Sequence, residues 1–261
     1  MRTTTVVTAL FDIGRDTWEY YTLAQSMYLG WYRNTLSLNT NHVIYTDEVY
    51  YDKILEILKE HGTSKNVRVY VKKLKDLPAY QLYHEKLNVL MMSEAFKKQV
   101  SFQVPEMLYP LYNIIMFNKM FFLADAIENN PFDSDDFIWA DAGGLREDIK
   151  FYKGVVWPNQ EKIDILDKSK ILMFSHHAKI SILVPHDHAL SQMRFIQGTS
   201  FFLTKDCISK LINIFNKKVN ECIDAGYIGS DEKIFDFCYL ECPELFQLEV
   251  SSWREYFDRY K

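Results

Sequence analysis

The apolar and polar positions of this chain change period several times, and each change marks an element. Thr3 to Phe11 (TTTVVTALF) is β-branched and apolar without alternation, the pattern of a parallel strand covered on both faces. A polar turn with Asp12, Gly14 and Arg15 follows, then a helical stretch from about Thr17 to Arg33. His42 to Glu48 (HVIYTDE) predicts a second strand that ends in a polar pair. Ile54, Leu55, Ile57 and Leu58 give Tyr51 to His61 the amphipathic period of a helix, and Gly62 stops it. The alternating run from Asn66 (NVRVYVKKL) is a third strand nearer an edge. Helices are predicted over Gln81 to Lys98 and about Leu111 to Glu128, and Phe137 to Gly144 (FIWADAGG) is a fourth strand running into a glycine turn.

The remainder is mixed. ILMFS near Ile171 and SILVPH near Ile182 read as short strands, and Arg194 to Leu203 as a strand interrupted at Gly198. Ile208 to Ala225 and Asp231 to Tyr239 read as helices, and LFQLEV near Leu245 as a last strand. The first half therefore follows the grammar of a doubly wound α/β sheet, with antiparallel strands added in the second half. One domain over residues 1–261 is expected. In such sheets ligands bind beyond the carboxyl ends of the strands.

Composition narrows the function classes. The 261 residues are 48% hydrophobic and 25% charged, which excludes disorder. A net charge of −5 and a pI near 5.8 argue against nucleic-acid binding. Aromatic residues reach 15%, as a deep pocket or a sticky face would need. No apolar run approaches the ~18 residues of a membrane span, and MRTTTVVTALFDIG lacks a signal-peptide layout. The expected location is the cytoplasm, and Cys207, Cys222, Cys238 and Cys242 are expected to be reduced thiols.

The chain contains no GxGxxG, P-loop, GxSxG or HExxH, which removes several enzyme classes. The strongest local signal is Asp141, where a buried strand stops and Gly143 and Gly144 begin. A carboxylate there can coordinate Mg²⁺ or Mn²⁺ or hold a sugar hydroxyl, and the glycines allow close backbone approach. Asp133-Ser134-Asp135 is a literal Asp-x-Asp, but it precedes the strand, which puts it ~16 Å from the ligand edge, and it reads as a turn. His176, His177, His186 and His188 cluster near one another, and Cys238 and Cys242 lie four apart, without a zinc-finger spacing.

Trp139-Ala140-Asp141-Ala142-Gly143 resembles the Asp-x-Asp strand end of GT-A glycosyltransferases, with Gly143 in place of the second Asp. That variant looks like the HtrL/YibB family of bacterial glycosyltransferase-like proteins. Agreeing pieces in order are TTTVVTALFDIGR, the Thr46-Asp47 pair, Lys119, Gln197-Gly198, and Gly229-Ser230-Asp231-Glu232. The resemblance implies a GT-A-like mixed, mostly parallel central sheet with helices on both faces, with a nucleotide-binding half over about residues 1–145 and an acceptor-side half over about 146–261. It implies a hexosyltransferase-like enzyme moving a sugar from a nucleotide donor, first of all UDP, to a hydroxyl of lipopolysaccharide or capsule.

Under that resemblance Phe11, Arg15, Asp47, Lys119, Trp139, Asp141, Gly143, Gly144, Gln197 and Gly198 form the nucleotide-sugar site. Asp141 is the metal ligand, for Mn²⁺ or Mg²⁺. Asp231 is the expected catalytic base with Glu232 second, and Trp253 contacts the acceptor. The acceptor would be a glycan or glycolipid, with peripheral contact at the cytoplasmic face of the inner membrane. The rival readings are a non-catalytic sugar- or protein-binding relative and a nucleotidyltransferase, which would usually carry a glycine-rich loop after its first strand.

Overall fold

A computed structural model describes residues 3–62, 66–152, 155–182, 184–252 and 255–261. Seven strands form one sheet: β1 (Thr4–Leu10), β2 (Asn41–Thr46), β3 (Val67–Val71), β4 (Asp136–Ala140), β5 (Ile171–Ser175), β6 (Ile196–Thr204) and β7 (Phe246–Val250). Their order is β3-β2-β1-β4-β6-β5-β7. β1 pairs in parallel with both β2 and β4, whereas β6 runs antiparallel between β4 and β5. The expected mixed, mostly parallel sheet is therefore present, with the antiparallel strand supplied by the second half.

Burial follows position in the sheet. Every residue of β1 and β4 is buried, as their unbroken apolar runs require. β3, at the edge, buries Val67 and exposes Arg68 and Val71.

The helices are α1 (Gln25–Leu36), α2 (Glu48–His61), α3 (Pro78–Met92), α4 (Glu94–Gln99), α5 (Pro105–Leu108), α6 (Pro110–Phe117), α7 (Lys119–Asn129), α8 (Gln160–Asp164), α9 (Pro185–Leu190), α10 (Lys205–Asp224) and α11 (Asp231–Glu241). One face of the sheet packs Val7, Tyr45 and Trp139 against Leu87, Phe117, Phe122, Phe215 and Phe235 of the longer helices. Burying each of these side chains is worth about 1.5–3 kcal/mol. The other face is covered in two places. Leu36 of α1 and Ile54 and Leu58 of α2 meet Leu10 and Ile44. Trp157 and the C-terminal Tyr256, Phe257 and Tyr260 meet Ile138 and Ala140.

Local signals explain where the elements depart from expectation. Pro185 sits at the first turn of α9, so the SILVPH segment has no strand among its described residues. Residues 18–24 are irregular, and α1 starts only at Gln25. The helix expected over 81–98 begins at Pro78 and breaks at Ser93, whose Oγ takes the Phe96 N–H at 3.1 Å and caps α4. The helix expected over 111–128 breaks at Asn118, whose side chain donates to the Ile114 carbonyl and accepts from Ala79 N–H. That break makes Lys119 the first residue of α7.

Two further features position the site. The β5–β6 register jumps from Met173–Phe201 to Phe174–Gln197, so Gly198, Thr199 and Ser200 bulge toward β4. There the Thr199 carbonyl accepts the Asp141 N–H at 2.9 Å. α11 begins at Asp231, and Ser230 supplies no side-chain cap. Its first-turn acids therefore sit at the positive end of the helix dipole. Among the described residues no helix is long and apolar enough to cross a membrane.

Candidate active site

A cleft of about 260 Å³ opens at the carboxyl ends of β1 and β4, the edge where open α/β sheets bind ligands. Lys119 stands at its floor. Its ammonium lies 2.9 Å from Asp141 Oδ1, 2.7 Å from Asp231 Oδ2 and 2.9 Å from the Gly198 carbonyl oxygen. These three partners use its three donors. Lys119 is buried at 1% exposure. Burial alone would lower its pKa, but Asp141 and Asp231 more than reverse that and hold it above the ordinary lysine value. Asp141 is further fixed by Trp139 Nε1, which donates to Oδ1 at 2.7 Å. Its own pKa is raised, first by desolvation and against the pull of Lys119.

A second charged group adjoins the first. Glu232 accepts the Gly198 N–H at 3.2 Å and pairs with Arg194 Nε at 3.2 Å. Arg194 also holds the buried Glu106 at 2.5 Å. Desolvation pushes Glu232 up to about 7, although Arg194 pulls the other way. A carboxyl group that titrates there can exchange a proton near neutral pH.

The opposite wall is aromatic and cationic. Arg15 bonds the Tyr28 hydroxyl, and its guanidinium lies 5.1 Å from the Tyr28 ring centre and 5.8 Å from that of Tyr112. Arg146 stacks 4.0 Å above Trp31 and donates from Nε to the Gly143 carbonyl at 2.9 Å.

Across residues 2–261 the chain matches the family described as "Bacterial protein of unknown function (HtrL_YibB)". It belongs to that family. It is 18% identical to Protein HtrL of Escherichia coli (strain K12), over 99% of this chain and 91% of that protein. Among solved structures it resembles mouse xyloside xylosyltransferase 1 in its apo form, at 13% identity and a TM-score of 0.48. That likeness covers 98% of this chain and 92% of the other. It also resembles the 4-diphosphocytidyl-2C-methyl-D-erythritol synthase of Anaerococcus prevotii DSM 20548, at 12% identity and a TM-score of 0.46, covering 97% and 88%.

In this HtrL_YibB chain Phe11, Arg15, Lys119, Trp139, Asp141, Gly143, Asp231 and Glu232 all line the cleft, as does Thr199. Gly198 contributes its backbone to Lys119 and Glu232. Asp47, Gln197 and Gly144, expected there as well, do not line it. Asp47 caps α2 through the Val49 and Tyr50 N–H groups and takes the Asp12 N–H at 2.6 Å, so it ties the two strand exits together. Gln197 points across the sheet to the Ser251 carbonyl at 3.0 Å. Gly144 is buried beneath, and its carbonyl accepts from Tyr256 Oη at 3.2 Å. Trp253 lies outside the described residues. Arg146, Arg194, Glu106, Tyr28 and Tyr112 belong to the constellation without having been expected. Arg146 carried a signal, three residues beyond Gly143 in the same loop.

The donor set does not fit the Mn²⁺ or Mg²⁺ expected at Asp141. Among the described residues no three His, Cys, Asp or Glu side chains come together in a metal-holding group. Asp141 already faces the Lys119 ammonium, whose charge would repel a dication brought to the same carboxylate. The histidines disperse too: His188 bonds Asp236 at 2.8 Å, and His186 bonds Asp187 and Gln99. Asp133-Ser134-Asp135 lies at the far end of β4, where Ser134 bonds Thr5 at 2.7 Å.

Proposed function

We propose that the protein is a glycosyltransferase that takes a sugar from a nucleotide donor, UDP first among them, and attaches it to a hydroxyl of a surface glycan such as lipopolysaccharide or capsule. One observation carries the reading. Arg15, Arg146, Asp141 and Glu232 converge on a single aromatic-walled cleft at the ligand edge of the sheet. Planar guanidinium groups match the oxygens of a diphosphate, and rings such as Tyr28 and Tyr112 suit the faces of a base or sugar.

In this reading Arg15 and Arg146 hold the diphosphate and stabilise the charge it gains as the bond to the sugar anomeric carbon breaks. Asp141 holds sugar hydroxyls. Glu232 takes the proton of the acceptor hydroxyl as its oxygen bonds to that carbon. Asp231 is the poorer base, because its carboxylate is committed to the Lys119 ammonium. The acceptor would be a glycan or glycolipid met at the cytoplasmic face of the membrane. The reading is tested by UDP release from a panel of UDP-sugars in the presence of bacterial surface glycans. Release that falls by about 10²–10⁴ in Glu232→Gln supports it. Absence of release from every donor contradicts it.

A further inference from the structure

The cleft replaces the features that a metal-assisted site would need, and does so at three points. Lys119 already occupies the space between Asp141 and Asp231, with all three of its donors engaged. A dication brought to Asp141 would sit against a buried ammonium that cannot retreat to solvent. The second carboxylate of the strand-end pair is absent, and its place is filled. A Cβ on Gly143 would lie 3.1 Å from Tyr28 Cε1 and 3.4 Å from Trp31 Cε3. Those same two rings, packed edge to face at 5.6 Å, carry the guanidinium groups: Arg15 lies against Tyr28 and Arg146 lies over Trp31. Fixed positive charge therefore flanks the position where the second metal-binding carboxylate would be.

Resting on the reading of the cleft as a nucleotide-sugar site, we infer that it binds a nucleoside diphosphate without a divalent cation, with Arg15 and Arg146 as the diphosphate partners. Lys119 has a different part. Its single positive charge offsets part of the negative charge of Asp141 and Asp231, which lessens their repulsion of the phosphates. The aromatic pair packs against the two guanidiniums and limits the side-chain freedom they lose on binding.

Calorimetric titration with UDP, GDP, CMP and TDP, each in EDTA and again in Mn²⁺, tests this, together with electron paramagnetic resonance of Mn²⁺ added to the protein alone. The expected result is UDP binding of equal affinity in both buffers and a Mn²⁺ spectrum unchanged by the protein. Arg15→Ala and Arg146→Ala should each weaken binding in EDTA by roughly tenfold or more, with Arg15→Lys and Arg146→Lys keeping part of the affinity. Nucleotide binding seen only with Mn²⁺, or a protein-bound Mn²⁺ signal lost in Asp141→Asn, overturns the inference while leaving the proposed function standing. Failure of all four nucleotides to bind in either buffer overturns the proposed function itself, and the inference with it.

Discussion

Gly198 and Asp231 touch so closely that a methyl group on Gly198 would lie 2.3 Å from the Asp231 Oδ2. The bulge in β6 and the first turn of α11 are thus fitted to each other, and Lys119 is held between the Gly198 carbonyl and the Asp231 carboxylate. Gly198→Ala should push that carboxylate off Lys119 and lower stability by about 1–3 kcal/mol, the usual cost of overpacking. Equilibrium urea unfolding reads this directly, and an unchanged midpoint would show that the carboxylate has room to move.

Lys119→Met should cost about 3–5 kcal/mol, because it leaves Asp141 and Asp231 facing each other without a counter-charge. Adding Asp231→Asn to that variant should restore part of the loss, since one of the two carboxylates is then neutral. A double-mutant cycle in urea measures the coupling. Additive effects would mean that the ammonium and Asp231 do not interact.

Gly143→Asp should not create a metal site. The new side chain drives into Tyr28 and Trp31, and the expected outcome is a stability loss of about 1–3 kcal/mol. Thermal unfolding with and without Mn²⁺ checks both halves of the statement. A Mn²⁺-dependent rise in Tm for this variant would show that the rings yield and that a carboxylate pair can form.

Glu232 gives a pH signature. Its folded pKa is pushed up to about 7 from 4.5, by desolvation first and against the attraction of Arg194. The folded state thus prefers the protonated carboxyl. The stability this contributes is full below the unfolded value and is lost as pH rises through about 7. Glu232→Gln removes the titration, so the Tm of the variant relative to the parent should climb from about pH 5 to about pH 8. A difference that stays flat would show that Glu232 is ionised throughout. Turnover should follow the opposite slope in the parent protein, rising as the base deprotonates.

Much of the frame was legible in the chain. β1, β2 and β4 announce themselves by burial patterns that depend only on local sequence, and Asp141 follows from where β4 stops. The mid-strand Gly198 correctly signalled a bulge. The breaks at Ser93 and Asn118 did not show, because both residues act through side-chain bonds that a helical period cannot reveal. The charge network was hidden for another reason. Lys119 meets Asp231, and Arg194 meets Glu106, only after the sheet has brought distant segments together. Asp47 shows the reverse case. An acid after a strand suggested a ligand contact, but it opens α2 as a cap.

Thermal unfolding of the intact protein against UDP, with Arg15→Ala alongside, reads occupancy of the cleft. Nucleotide binding in the cleft predicts a rise in Tm that saturates, amounting to about 2.7 kcal/mol at a hundred times the Kd, or about 5–10 °C for a chain of this size. It also predicts that the rise is larger for UDP than for GDP, CMP or TDP and shrinks in Arg15→Ala. A Tm indifferent to all four nucleotides would contradict it.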